Sequence, residues 1–242
     1  MLERAKEVIE DISKVTDEII LMHSLSGKDS IALLDLCYPK FKRVVCVFMF
    51  MVPNMEHIKP YYAFAKRRYP NIHFIQLPHY GLFNYRKEGF MGMRGNPDQR
   101  KWKLADIIDK VREKTGIEWC CCGFKQSDSL NRRLMLRSYT DGKMAISWSG
   151  KKFYPLSTYK NQDILDYIRK ERLKCPEHYG AAVQSSGDDI TDYFFLKYLE
   201  EHYPSDLEKV YNSFPATRLI IEQYENGNYQ TKRNKGDKEK SD

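Results

Sequence analysis

Residues 18–36 read EIILMHSLSGKDSIALLDL, the grammar of a strand, a tight turn and a helix. Glu18–Met22 is a short apolar run that suits a buried strand. The apolar stretch from Ile31 stops before Pro39, as a helix does. Between them HSLSGKDS, residues 23–30, is small and polar. Small residues let a backbone approach a ligand closely. The free amides at the start of the following helix, with the helix dipole, favour an anion. Lys28 adds a point charge, and Ser24, Ser26 and Ser30 add hydroxyls. Simple N-capping by Ser or Asp does not require Gly27 and Lys28 beside them. The segment therefore reads as a phosphate-binding turn, although it does not match the Walker A spacing. Asp29 is the odd member, because a carboxylate repels phosphate unless a cation stands between them. Mg²⁺ bridging Asp29 and phosphate oxygens would answer that repulsion.

Outward from this turn, helix and strand alternate. Residues 3–15 carry Val8, Ile9, Ile12 and Val15 at helical spacing. Strands are expected at RVVCVFMF (43–50), NIHFIQL (71–77) and IEWCCCG (117–123), with a short extended piece at KFYPL (152–156). Helices are expected through HIKPYYAFAKRR, where Pro60 starts or kinks the helix, and through residues 101–114, 129–139 and 161–173. Such alternation implies an open parallel sheet with helices on both faces, and ligands then sit outside the carboxyl ends of the strands. Residues 78–100, PHYGLFNYRKEGFMGMRGNPDQR, are expected to form a long irregular loop, a mobile lid or substrate loop, with a plain surface excursion as the alternative. After about residue 185 the alternation stops and three helical stretches follow. The expected organisation is an α/β domain over 1–180, a helical extension over 181–230 and a disordered charged tail over 231–242.

Composition narrows the class. Of 242 residues, 42 % are apolar and 30 % charged, which suits a folded globular chain rather than a disordered one. The longest apolar run, Val44–Val52, is far short of the ~20 residues a membrane helix needs. No secretory signal is visible at the N-terminus, and no membrane role is expected. The net charge of +7 permits a polyanionic ligand. Part of that charge lies in the tail KRNKGDKEKSD (232–242), which reads as solvated, with a weak nucleic-acid arm as the alternative. The six cysteines form neither a CxxC pair nor a zinc pattern, so a reducing cytoplasmic setting is expected.

Two further blocks follow the turn in order: GFKQSDSLNR (123–132) and YPLSTYKNQDILDYIRKERLKCPEHY (154–179). With SLSGKDS they resemble the PP-loop (N-type) ATP pyrophosphatase superfamily, in its phosphoadenylylsulfate (PAPS) reductase and ATP sulfurylase small-subunit branch. The turn is similar to SGGKDS, with Ser26-Gly27 in place of two glycines. The second block is similar to GxRxxESxxR: Gly123, Asp128, Ser129 and Arg132 fall on it, with Lys125 replacing Arg and Asp128 replacing Glu. The third resembles PLxxWxxxDVWxYIxxxxLPxxPLY, with Tyr159 in the Trp position. The likeness spans about residues 15–180. It implies a doubly wound parallel five-stranded sheet of the adenine nucleotide alpha hydrolase (HUP) type, with a helical C-terminal extension.

The resemblance also implies chemistry. Ser24, Ser26, Gly27, Lys28, Asp29, Ser30, Gly123 and Ser129 would bind an adenine nucleotide, with adenine near Phe48–Phe50. Asp29 and Asp128 would hold Mg²⁺ with ATP. Lys28, Asp29, Lys125 and Arg132 would be catalytic. The family's acidic element after strand two is missing, and FMVPNMEH keeps only Glu56. The reductases' C-terminal catalytic cysteine is also missing, since no cysteine follows Cys175. The intact GKDS favours cleavage of ATP between the α and β phosphates, adenylylating an unknown acceptor and releasing pyrophosphate. Two other readings stay open. One is a sulfonucleotide (PAPS/APS) reductase. The other is a nucleotide-binding subunit of a nucleic-acid modification or defence system, working with a protein partner. A homo-oligomer is also left open.

Lesser candidates come from the residues alone. Cys120–Cys122 read as buried filling, with a reactive Cys122 as the alternative. Cys175 reads as packing. His23 reads as structural beside the turn, with phosphate contact as the alternative. His57 and His79 are acid–base candidates without identified partners. Arg132 is expected to clamp an anion, and Arg133 to be solvated.

Overall fold

The computed structural model describes residues 1–177 and 189–227. The expected charged tail, 231–242, lies outside them, as do residues 181–188 and 228–230 of the expected extension. The described residues cluster into two compact units. The first comprises Met1–Phe50, Pro60–Pro78 and Lys103–Glu177. The second draws Met51–Lys59 and His79–Trp102 together with the C-terminal helices. No helix among the described residues is long and apolar enough to cross a membrane.

The first unit is built on strands β1 (Glu18–Met22), β2 (Arg43–Phe50), β3 (His73–Pro78), β4 (Cys120–Cys121), β5 (Ile146–Ser147) and β6 (Lys152–Phe153). Their order in the sheet is β3-β2-β1-β4-β6-β5. Five of them, β3-β2-β1-β4-β6, run parallel, as the sequence led us to expect. Only β5 is antiparallel, paired with β6 as Ile146 opposite Phe153. The chain leaves β1 in one direction toward β2 and β3, and later returns to β4 on the other side of β1. Between β1 and β4 the winding reverses, which makes a topological switch point.

Helices α1 (Glu3–Ser13), α2 (Lys28–Cys37), α3 (Lys59–Arg68), α5 (Leu104–Thr115), α6 (Leu130–Arg137) and α7 (Asn161–Lys170) flank the sheet; α4 (Tyr80–Glu88) belongs to the second unit. Alternation along the strands sorts the faces. Ile20, Val45, Val47, Cys120 and Cys122 pack with Ile108 and Val111 of α5 and Leu136 of α6. Phe74 meets Tyr62 of α3 on the opposite face, and α2 packs on α7. Asp35 of α2 fastens that layer, accepting from the hydroxyls of Tyr69 (2.7 Å) and Tyr167 (2.6 Å). The sheet is thus wound on both faces. Pro60 stands in the first turn of α3 and starts it rather than kinking it.

The second unit contains α4 (Tyr80–Glu88), α8 (Tyr193–His202), α9 (Pro204–Ser213) and α10 (Arg218–Glu225). The expectation of a loop over 78–100 is corrected here, because α4 occupies its first half. The rest is tied down. Lys87 donates to the carbonyls of Pro97 (2.5 Å) and Gln99 (2.7 Å). Asn84 exchanges hydrogen bonds with the backbone of Trp102. Tyr85 stacks on Phe90 at 3.9 Å between ring centroids. Aromatic packing, rather than an aliphatic stripe, holds this helix, so its period is faint in the sequence.

Candidate functional site

The turn after β1 and the segment after β4 emerge at the carboxyl ends of neighbouring strands, at the switch point. Residues 23–30 close the first of them with their own hydroxyls. The Ser30 Oγ accepts from the Ser24 amide at 2.9 Å and lies 3.0 Å from the Ser24 Oγ. The Ser26 Oγ donates back to the Ser24 carbonyl at 3.3 Å. Leu25 sits at φ 55°, a left-handed conformation that costs a non-glycine residue ~1 kcal/mol. His23 steadies it, because its Nδ1 accepts the Leu25 amide at 2.9 Å.

Gly27 is the N-cap of α2 at φ −76°, so space rather than dihedral freedom demands glycine. A Cβ there would lie 2.2 Å from the Ser24 Oγ. No side chain caps α2. The first-turn amides of Lys28, Asp29 and Ser30 lack intrahelical partners, as first-turn amides do. The simple N-capping alternative therefore does not describe this helix. Lys28 is buried, and burial pushes its pKa down, partly countered by Asp29 and reinforced by Lys125.

The second segment reaches the same point. A Cβ on Gly123 would stand 3.2 Å from the Asp29 Cβ, so a bare backbone lets the chain after β4 close on α2. Lys125, 1 % exposed, places its Nζ 2.5 Å from Asp29 Oδ2 and 3.1 Å from Asp128 Oδ1. The Lys125 amide donates to Asp128 Oδ2 at 2.9 Å. Arg132 donates to the same oxygen at 2.8 Å, and its guanidinium lies 4.1 Å from the centre of the Phe124 ring. Lys28 Nζ is 3.8 Å from Asp29 Oδ2. Lys28, Asp29, Lys125, Asp128 and Arg132 thus form one chain of alternating charge, three cations to two carboxylates. Burial pushes the Asp128 carboxyl up, but the Lys125 amide and ammonium and Arg132 outweigh it, leaving the pKa below the ordinary value. Asp29 Oδ1 is buried without a partner among the described residues.

The structure brings together Ser24, Ser26, Gly27, Lys28, Asp29, Ser30, Gly123, Lys125, Asp128, Ser129 and Arg132. Ser129 is committed as the N-cap of α6, accepting the Arg132 amide at 3.2 Å. Phe48 is buried in β2 opposite Gln76. Phe124, which orients Arg132, was not singled out in the sequence; an aromatic beside a basic motif was the available signal. Arg133 is exposed and donates to the Gln126 carbonyl at 3.3 Å.

Cys120, Cys121 and Cys122 are all buried, as filling requires. The Cys120 thiol is pushed well up by its contact with Cys122 and by burial, and that of Cys121 by burial. The packing expectation for Cys175 is corrected: its side chain is exposed, and its carbonyl, accepting from the Tyr61 hydroxyl at 3.1 Å, anchors the segment. In the second unit His79 caps α4, with Nδ1 accepting the Gly81 amide at 3.0 Å. His57 has a partner, Asp206, whose buried carboxylate is 3.2 Å from Nδ1 and accepts the amides of Glu56 and His57. That arrangement fastens a loop. Glu56 itself makes surface pairs with Lys59 and Lys209.

No protein-family profile and no curated sequence matches this chain. Solved structures do. The U34-tRNA thiolase NcsA from Methanococcus maripaludis, with its 4Fe-4S cluster, is 13 % identical over 91 % of this chain and 78 % of its own, with a TM-score of 0.45. Phosphoadenylyl-sulfate (PAPS) reductase from Candida auris, in a phosphate complex, is 15 % identical over 72 % of this chain and 82 % of its own, with a TM-score of 0.47. The likeness is one of α/β fold.

Proposed function

We propose that the turn at Gly27–Ser30 binds the phosphates of an adenine nucleotide, and that the protein is an adenylyl-transferring ATP pyrophosphatase. The observation that carries this reading is the net-positive charge chain at an uncapped helix N-terminus, beside a glycine that leaves no room for a side chain. The first-turn amides and Lys28 receive the terminal phosphates. Arg132, held by Asp128 and Phe124 but 42 % exposed, is positioned to meet an oxyanion from solvent. Lys125 and Asp29 lock the two segments in register. The acceptor's nucleophile attacks the α phosphorus, the bond to the α–β bridging oxygen breaks, and pyrophosphate leaves with its charge spread over the amides, Lys28 and Arg132. The product is the acceptor bearing AMP.

The reductase alternative gains nothing from Cys120–Cys122, which are all buried. The nucleic-acid alternative is permitted by the net charge of +7, and nothing in the sequence demands it. The test is incubation with ATP and Mg²⁺ across a panel of acceptors, resolving pyrophosphate plus adenylylated acceptor from ADP plus phosphate. Pyrophosphate released together with an acceptor that carries AMP, both lost in Lys28→Ala, supports the reading. ADP and phosphate, also lost in Lys28→Ala, contradict it.

A further inference from the structure

Asp29 poses a problem for any phosphate site, since its carboxylate stands in the first turn that receives the anion. The sequence invited Mg²⁺ as the answer, bridging Asp29 and phosphate oxygens, and the resemblance added Asp128 as a second ligand. In the structure a cation already stands between those two carboxylates. The Lys125 ammonium is 2.5 Å from one and 3.1 Å from the other. A metal ion shared by both would need the same place.

Three observations make Lys125 a poor candidate for displacement. It is 1 % exposed, so an ammonium driven off its carboxylates would remain buried and unpaired, which is costly. Its own amide is pinned to Asp128 Oδ2, so the backbone bearing it cannot swing freely. Asp128 Oδ2 is also taken by Arg132. The oxygen left over is Asp29 Oδ1, a single ligand. A Mg²⁺ ion there would take one of its six oxygens from the protein and depend on phosphates and water for the rest, so it would be the nucleotide's ion rather than one the protein holds. Among the described residues no group of three His, Cys, Asp or Glu side chains is placed to hold a metal.

We infer that Lys125 is the resident counter-cation of the phosphate turn, and that the turn binds nucleotide phosphates without a divalent ion held by the protein. The inference rests on the nucleotide reading above and replaces its metal. Lys125 cancels Asp29, and the three-to-two balance leaves the turn attractive to an anion. Lys125 is a positioning residue: it acts on Asp29 and Asp128 rather than on the substrate.

The test uses the full chain and α,β-methylene-ATP, which resists α–β cleavage, followed by calorimetry in EDTA and in Mg²⁺. The wild-type affinities are expected to agree within about threefold, whereas Lys125→Gln is expected to lose about tenfold or more in EDTA and recover with Mg²⁺. A parallel titration of nucleotide-free wild type with Mn²⁺, read by electron paramagnetic resonance, is expected to show no bound ion. Wild-type binding that falls about tenfold or more in EDTA overturns the inference and leaves the nucleotide reading standing. So does a Mn²⁺ ion bound to the free protein and lost in Asp29→Asn. Absence of binding in both buffers overturns the nucleotide reading and the inference with it. The wild-type arms decide the matter even if Lys125→Gln does not fold.

Discussion

Ser24 and Gly27 stand so close that a Cβ on Gly27 would lie 2.2 Å from the Ser24 Oγ. The same hydroxyl lies 3.0 Å from Ser30, so it cannot rotate away without loosening the turn. Gly27→Ala is expected to cost about 1–3 kcal/mol in chemical denaturation. With the oxygen gone, the Ser24 Cβ would be an ordinary 3.5 Å neighbour. The double variant Ser24→Ala/Gly27→Ala should therefore recover part of the loss. Strictly additive losses would show that the clash is not the cause.

His23 offers a pH signature. Burial pushes its pKa down from 6.5 to about 3. A histidine that stays neutral when folded but charges when unfolded favours the unfolded chain in acid. Stability is expected to fall as pH drops below 6.5 toward about 3. His23→Asn keeps an acceptor for the Leu25 amide without a titrating ring, and should flatten that limb of the pH–stability curve. An unchanged limb would remove His23 as its source.

Asp206 is a carboxylate in the second unit that also loses stability in acid, here because its charged form is the one the fold favours. Burial raises its carboxyl, but Lys209 and the amides of Glu56 and His57 outweigh that and leave the pKa below its ordinary value. A depressed carboxyl contributes stability above the unfolded value of 3.8, and loses it as pH falls through the lower folded value. Asp206→Asn puts a donor where the amides need an acceptor and should cost about 1–3 kcal/mol near neutral pH. Faster limited proteolysis around residues 51–59 is the expected readout. Wild-type protection of that loop would contradict the anchoring role.

Thiol accessibility separates filling from chemistry at Cys120–Cys122. Of the six cysteines, Cys175 alone is exposed. One thiol is expected to react promptly with an aromatic disulfide reagent in the native protein, and Cys175→Ser should abolish that phase. A second fast thiol assigned to Cys122 would revive the reactive reading.

The parallel sheet was legible because buried parallel strands are nearly continuous apolar runs: EIILM and RVVCVFMF match β1 and β2 residue for residue. IEWCCCG yields only two ladder residues, Cys120 and Cys121, because the chain turns away at Gly123 to meet α2. The antiparallel β5 is a two-residue partner to β6 and carries too little pattern to read. At the site, residue types were legible and pairings were not. Lys125 and Asp29 are far apart in sequence, so the motif told of a cation and a carboxylate but not that one neutralises the other. The Asp206–His57 pair was hidden for the same reason.

The central claim is that the turn at Gly27–Ser30 receives nucleotide phosphates. The most direct measurement is a crystal structure of the protein with α,β-methylene-ATP. The account predicts the phosphate chain on the amides of Lys28, Asp29 and Ser30, with Lys28 and Arg132 turned toward it and Lys125 still between Asp29 and Asp128. A nucleotide bound elsewhere, with those amides facing only solvent, would contradict it.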